Sequence, residues 1–374
     1  MQGDDMTRRI EICFAKTSDV PEVIHFLREH WRTDHIFVTN PELMRWQHES
    51  PDAPGETTTF VLGRRINADG SSEILALLGY IPFRRFDTEA DWTELSLAIW
   101  KIRDDAGTPG LGLQLLKTIQ RTLSPALICA IGTSQLVRPM YETLGYKVGA
   151  LSHAALFPIS ATLGETVASG VPAIARRTID GDAGVDIRPV IGESLPDGIS
   201  IASINSLSNE NLPRKSWNYI LNRYVRHPYY EFEIRTVTAD SQLHAILVWR
   251  RVLAPTGYIL RIVDVIGDAN VLSRCGALLR SELVSGNCEY MDLMQWGISS
   301  QALKAGGFVL LEDHPELVLP NYFEPFESRN VKIEIAFFID PKLADKRVFL
   351  YRADSDQDRP NQPTALNGKI KNEQ

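Results

Sequence analysis

The sequence predicts an α/β (α+β) fold of two domains sharing one topology, each a mixed, mainly antiparallel central sheet flanked by helices. Three observations predict it. Strand-like and helix-like periodicities alternate along 374 residues, a length that suits two or three domains better than one. The order strand, strand, helix, short buried strand, helix occurs twice. Each occurrence closes on a glycine followed by an aromatic residue, Gly145-Tyr146 and Gly307-Phe308.

The first copy opens with a strand at residues 10–15 and an N-cap at Ser18-Asp19, followed by a helix with Val20, Val23, Ile24 and Leu27 on one face. Strands at 58–64 and 73–83 flank Asn67-Ala68-Asp69-Gly70, whose Asp-Gly step favours a hairpin. A third strand covers 94–102. Beyond a glycine-containing loop, Leu111, Leu115, Ile119 and Leu123 stand at helical spacing. Residues 126–131 are continuously apolar, as in a strand buried on both faces, and 135–144 return to helix.

Between 160 and 198 the pattern loses its periodicity, and a linker is expected there. A helix at 212–224 carries Trp217, Ile220, Leu221 and Tyr224 as an apolar stripe. The second copy then runs through strands at 244–253 and 258–265, a helix at 271–284, a strand at 290–294 and a closing helix. The expected division is 1–158, a linker at 159–198, a second domain at 199–350, and a tail at 351–374. That tail, dense in carboxylates from Asp354 to Asp358, reads either as a solvated run or as a folded, substrate-facing segment.

Thirty-nine basic against 47 acidic residues leave a formal charge of −8, which disfavours a general nucleic-acid coat. The acidic N-terminus and the absence of a long apolar run predict a cytoplasmic chain with no membrane insertion. Cys13, Cys129, Cys275 and Cys288 are far apart and form no CxxC pair, so buried thiols are expected. His25, His30 and His35 do not share a helix face, and no metal is expected. Neither Ser134 nor Ser299 is followed by the glycine of a nucleophile elbow.

The stretch Gly107-Thr108-Pro109-Gly110-Leu111-Gly112 joins a strand to an amphipathic helix. Its amides therefore lie at the positive end of a helix dipole, and Gly110 and Gly112 let backbone approach an anion such as a pyrophosphate.

Trp100-Lys101-Ile102-Arg103 before this loop, the Gly110-x-Gly112 pair and the later Tyr141-Glu142-Thr143-Leu144-Gly145-Tyr146 together resemble the GNAT superfamily of acyl-CoA N-acyltransferases. The resemblance covers residues 10 to about 148, and the second half more faintly. It implies an acyl-CoA donor, acetyl-CoA first, held by Ile102, Arg103, Gly107, Thr108, Gly110, Leu111, Gly112, Leu113 and Ser134. Backbone amides around Ile102 and Arg103 would hold pantetheine, and Tyr141 would act as general acid toward the thiolate. Glu94 is the first candidate for the base, with His35 or His153 as alternatives. The sequence departs from the family at Gly107, in the usual Arg or Gln position, at Pro109, and at Ser134, where many members carry Asn.

In the second copy the matching loop reads Val265-Ile266-Gly267-Asp268-Ala269-Asn270, and Asp268 would repel a pyrophosphate. That copy is expected to complete the acceptor pocket rather than bind CoA. A tandem pair with one degenerate copy resembles Fem-type aminoacyl transferases and bacterial surface-polysaccharide enzymes. The resemblance implies direct N-acylation of a small amine, an amino sugar or its nucleotide-linked form, with Trp46, Trp217, Tyr229, Tyr230 and Trp296 as possible aromatic platforms. The alternatives are a tRNA-dependent Fem-type transferase and a non-catalytic binding protein.

Overall fold

The computed structural model describes residues 9–160, 166–320 and 327–360. They fall into two compact units, 9–130 with Pro360, and 131–359.

In the first unit β1 (Arg9–Lys16) ends where the Asp19 carboxylate accepts from the Lys16 amide at 2.7 Å. Helix α1 (Val20–His30) buries Val20, Val23, Phe26 and Leu27, the predicted stripe with Phe26 in place of Ile24. Two short helices, α2 (Ile36–Thr39) and α3 (Pro41–His48), start at His35 and Asn40. Strands β2 (Thr57–Ile66) and β3 (Ser72–Pro82) form the predicted hairpin, with Gly70 at φ +83° in its turn. Then come β4 (Leu95–Ile102), α4 (Leu111–Leu123) and β5 (Leu127–Thr133), which passes into the second unit after Ala130. The strands lie in the order β1-β2-β3-β4-β5. All pairings are antiparallel except β4 with β5. Helix α4 buries Leu111, Leu115, Leu116 and Ile119 completely.

The second unit begins with α5 (Arg138–Thr143), β6 (Lys147–Ala150) and β7 (Ser152–Leu156). Next follow β8 (Val185–Val190), α6 (Ile201–Ser208), β9 (Asn211–Leu212) and α7 (Trp217–Ile220). Strands β10 (Glu233–Ala239), β11 (Gln242–Leu253) and β12 (Tyr258–Gly267) lead to α8 (Leu272–Ser285), β13 (Cys288–Trp296) and α9 (Ser300–Ala305). Four strands finish it: β14 (Val309–Leu310), β15 (Glu334–Ile339), β16 (Arg347–Val348) and β17 (Leu350–Tyr351). Its eight-stranded sheet has the order β14-β7-β13-β12-β11-β10-β8, with β17 also on β13. Trp249, Leu260, Met291 and Leu279 form part of its fully buried core.

Three features differ from the sequence expectations, and strands β6 and β7, which the sequence left unassigned, take separate places. Across the single residue Leu151, whose amide donates to Ile333 O at 2.9 Å, the chain turns so that β7 sits between β13 and β14 while β6 pairs with β15. Strand β8, inside the stretch read as linker, pairs antiparallel with β10. The helix expected at 212–224 starts only at Trp217, because Pro213 has no N–H to donate and residues 211–212 pair with β16 instead. Finally, the carboxylate-rich C-terminal run is not a solvated tail: Tyr351, Arg352, Asp354, Asp356 and Asp358 are all buried. Residues 361–374 of the expected tail lie outside the described residues.

Candidate active site

The first unit's sheet opens along one edge. Strands β4 and β5 pair in parallel only from Leu95–Ile128 to Leu97–Ala130. Just beyond, the β3–β4 register slips between Leu78 and Tyr80, so β4 bulges opposite Gly79. The Arg103 amide donates to Leu75 O at 2.8 Å. Because successive residues in a strand direct their amides to opposite edges, Ile102 and Trp100 direct theirs away from β3, along the edge where the register with β5 has ended. This divides the pair of residues implied as pantetheine holders. Ile102 presents its amide on the open edge, whereas the Arg103 amide is engaged within the sheet.

The loop after β4 runs to the N-terminus of α4. Gly107 has φ +62° and Gly110, the N-cap of α4, φ +77°, a region costly for residues with a Cβ. Nothing lies within 4 Å of a Cβ built on Gly110, so its outer face is open to an incoming group. The Leu111 amide donates to Thr108 O at 3.3 Å, and the Thr108 hydroxyl donates to Ala106 O at 3.2 Å, which fixes the turn. Gly112 has a different function from the one its motif suggests. It is buried against the sheet, where a Cβ would stand 2.7 Å from Ile102 Cδ1 and 3.1 Å from Trp100 Nε1. It permits close packing of helix on strand, while the backbone at Gly110 is open. Leu111 is fully buried and Leu113 half-buried, so both anchor the helix entrance.

Charge around the loop is balanced. Arg103 is held by Asp105 (2.7 Å) and Glu73 (2.6 Å), Lys101 by Asp104 (3.1 Å), and Arg65 by Glu73 (2.9 Å). The Arg103 hydrogen bonds pull the Asp105 carboxyl down to about 2. An acyl-CoA pyrophosphate fits the open glycine backbone and helix dipole. The guanidinium of Arg103 already has carboxylate partners.

The remaining expected site residues are distributed over both units. Glu94 is fully buried just before β4, its carbonyl accepting from the Phe83 amide at 3.0 Å, so it is not a solvated strand-edge group. Eight residues of extended chain, about 26 Å, separate it from Ile102. His35 is buried and caps α2, with Nδ1 accepting from the Phe37 amide at 3.2 Å between the rings of Trp31 and Phe37. Nearby Gln47 and His48 are buried. His48 Nδ1 lies 2.9 Å from Thr59 Oγ1, and its ring stacks on Phe60. In the second unit Tyr141 is 2% exposed on α5, its ring 5.0 Å from that of Tyr146. Ser134 Oγ accepts from the Leu136 amide at 3.2 Å, capping the turn before α5. His153 lies on β7, with Nε2 3.2 Å from Asp292 Oδ2. Trp217 is a core residue.

The second unit repeats the geometry of the opening and closes it. Parallel pairing of β12 with β13 stops at Ile262–Leu293, and β11–β12 carries its own register slip between Val248 and Trp249. Here, however, β17 pairs with β13 at Gln295 and Trp296. Asn211 Nδ2 donates to Gly267 O at 2.9 Å on the β12 edge. The filling is anchored by a buried ion cluster that sequence reasoning missed. Lys215 Nζ lies 2.6 Å from Asp264 on β12 and 2.5 Å from Asp354, and the Tyr224 hydroxyl donates to Asp264 at 2.6 Å. Burial alone would lower the Lys215 ammonium, but the two carboxylates more than offset it and hold it above its ordinary value. Burial pushes the Asp354 carboxyl up to about 7 against the pull of Lys215. Asp268 serves as an ordinary cap, accepting from the Asn270 amide at 3.3 Å.

Among the described residues no helix is long and apolar enough to cross a membrane, and no group of three or more side chains could hold a metal ion. No disulfide joins the four cysteines, and burial pushes the Cys275 thiol up to about 12 and that of Cys288 up to about 11.

No family model matches the sequence, and no curated protein matches it either. Solved structures do. A GCN5-related N-acetyltransferase from Anabaena variabilis aligns with a TM-score of 0.51 at 12% identity, over 88% of this chain and 73% of that one. A GCN5-related N-acetyltransferase from Kribbella flavida aligns at 0.46 and 11% identity, over 90% and 72%. Saccharomyces cerevisiae N-myristoyltransferase, solved with bound myristoyl-CoA, aligns at 0.42 and 12%, over 90% and 80%. At the first of these scores and at such identity the likeness is one of architecture: the chain has a fold similar to that of the GCN5-related N-acetyltransferases.

Proposed function

We propose that the chain is an acyl-CoA-dependent N-acyltransferase whose donor site lies in the first copy of the fold. One observation carries this reading: the β4–β5 register ends at Leu97–Ala130, and the open edge leads to a helix entrance at Gly110 with unobstructed backbone. The open edge of β4 offers the Ile102 amide to an amide-bearing chain such as pantetheine, and the α4 dipole favours a pyrophosphate. The acyl group is acetyl and the acceptor a small amine, an amino sugar or its nucleotide-linked form in surface-polysaccharide synthesis. This acceptor follows from the resemblance of the tandem arrangement.

In the proposed reaction the neutral amine attacks the thioester carbonyl, a tetrahedral intermediate forms, and the C–S bond breaks. Tyr141 gives its proton to the departing thiolate. Glu94 or His35 takes the proton lost by the amine, directly or through water. Ser134 and the loop from Gly107 to Leu113 hold the donor. The second copy, with its opening filled by residues 349–354 and 211–215, supports the fold and does not bind CoA.

Thermal melts with acetyl-CoA test this on a matched pair, Gly110→Asn and Gly110→Asp, both tolerant of φ +77° and differing by one charge. Ligand at ~100 times its Kd stabilises by about 2.7 kcal/mol. The Asn variant should keep most of that shift and the Asp variant lose it. Equal shifts in both, or none in the wild type, remove the donor site from this loop.

A further inference from the structure

The second unit contains a cleft of about 780 Å³ lined by Lys147, Ser152, Gln295, Trp296, Glu312 and Lys332 among others. Its size is in the range of small-molecule sites. None of its polar groups belongs to the proposed donor site.

Gln295, at the C-terminal end of β13, is only 3% exposed, yet it lines the cleft. Its carboxamide oxygen accepts from the Ile298 amide at 2.8 Å, which fixes the orientation of the group. The NH2 end has no partner among the described residues and keeps its access to the cleft. Open to the cleft, this donor is one that water satisfies and that a ligand acceptor can take over. Lys147 lies over the rings of Trp296 and Phe337, at 5.4 and 5.8 Å from their centroids, with no carboxylate partner among the described residues. Lys332, paired with Glu334 at 2.6 Å, is 60% exposed on the rim. On β7, at the register position of Gln295, the Ser152 hydroxyl donates to Glu312 at 3.0 Å, and Glu312 retains lone pairs for a ligand hydroxyl.

We propose that this cleft binds a small anionic polyol, with its carboxylate or phosphate on Lys147 and the Gln295 NH2 and its hydroxyls toward Ser152 and Glu312. The Lys147 ammonium, which has no carboxylate partner among the described residues, and the carboxamide donor favour the anion over a neutral sugar. Glu312 favours a ligand that also carries hydroxyl donors over a bare anion. The inference does not require the acyl-transfer reading, although His153 and Trp296, named above as candidates for the acceptor side of that reaction, line the same cleft.

The test is a thermal-melt titration of the full chain at constant ionic strength with glucose 6-phosphate, gluconate, glucose and inorganic phosphate. A saturable rise in Tm is expected with one or both of the first two, the pair telling phosphate from carboxylate, and a much weaker response with the last two. Lys147→Met keeps the packing over Trp296 without the charge, and Gln295→Glu keeps the acceptor for Ile298 while replacing the donor. Each should weaken the response about tenfold or more with an unchanged response to acetyl-CoA. Lys147→Arg should restore it, which separates lost binding from lost folding. No saturable response to either anionic polyol, an equal response to glucose, or a response indifferent to Lys147→Met and Gln295→Glu overturns the proposal.

Discussion

Ile102 lies directly beneath Gly112: a Cβ added to the glycine would come within 2.7 Å of the isoleucine Cδ1. Gly112→Ala therefore overpacks a buried helix–strand contact, and a loss of about 1–3 kcal/mol is expected. The double variant with Ile102→Val should recover part of this. Chemical denaturation of the four proteins checks it, and additive effects would show that the two residues do not press on each other.

Asp105 adds negative charge beside the proposed pyrophosphate site while holding Arg103. Like charges repel, and between exposed groups the effect is small and screened by salt. Asp105→Asn should thus tighten acetyl-CoA binding about twofold at low salt, with the gain fading as ionic strength rises. Titration calorimetry at two salt concentrations would detect it, and weaker binding in the variant would count against a pyrophosphate at this loop.

If Tyr141 protonates the leaving thiolate, Tyr141→Phe should lower kcat by roughly 10²–10⁴-fold with little change in KM. The side chain is 2% exposed and packed on Tyr146, so the phenyl ring should keep the fold intact. Steady-state kinetics together with a melt decide between the roles. A drop in Tm with unchanged kcat would make Tyr141 a packing residue.

Lys215 separates two buried carboxylates, and Lys215→Met would leave Asp264 and Asp354 without their cation. Breaking such a buried pair costs about 3–5 kcal/mol. The variant should unfold at markedly lower denaturant, and Lys215→Met with Asp354→Asn should be less unstable than the single change.

Asp354 also predicts a pH dependence. Its folded value of about 7 is above the ~3.9 of an unfolded aspartate. Stability from this group is fully present below ~4 and declines as pH rises toward and through 7. Relative to Asp354→Asn, the wild type should therefore lose Tm between pH 5 and 8 (approximately the interval below and above that value). Parallel profiles for the two proteins would show that the carboxyl does not titrate in this window.

The sequence made the elements legible wherever one residue pattern decides one structure. Helix α4 covers Leu111–Leu123, where the leucine spacing placed it, and the hairpin turns near Gly70. Strand partners were less legible. The run Ala154-Ala155-Leu156 is buried in the β13–β7–β14 ladder, and its pattern does not say which strands cover it. The C-terminal aspartates could be read as solvated or as folded because their partners are remote in sequence: Lys215 for Asp354 and Arg250 for Asp358. In the candidate site the two glycines were found together but not told apart. The difference between them is whether a Cβ would meet Ile102 or open space, and that depends on how α4 lies on β4.

The placement of β7 also bears on how the chain is made. His153 and its partner Asp292 are 139 residues apart, so on a ribosome β7 emerges long before β13 exists. At ~5–20 residues per second that interval is on the order of ten seconds, in which an apolar strand waits with both edges unpaired. A polypeptide stopped after β7 would retain that strand without its ladder, and one begun after it would have β13 and β14 with nothing between them. The two repeats therefore cannot be parcelled out as separate genes or expression fragments without stranding part of one in the other.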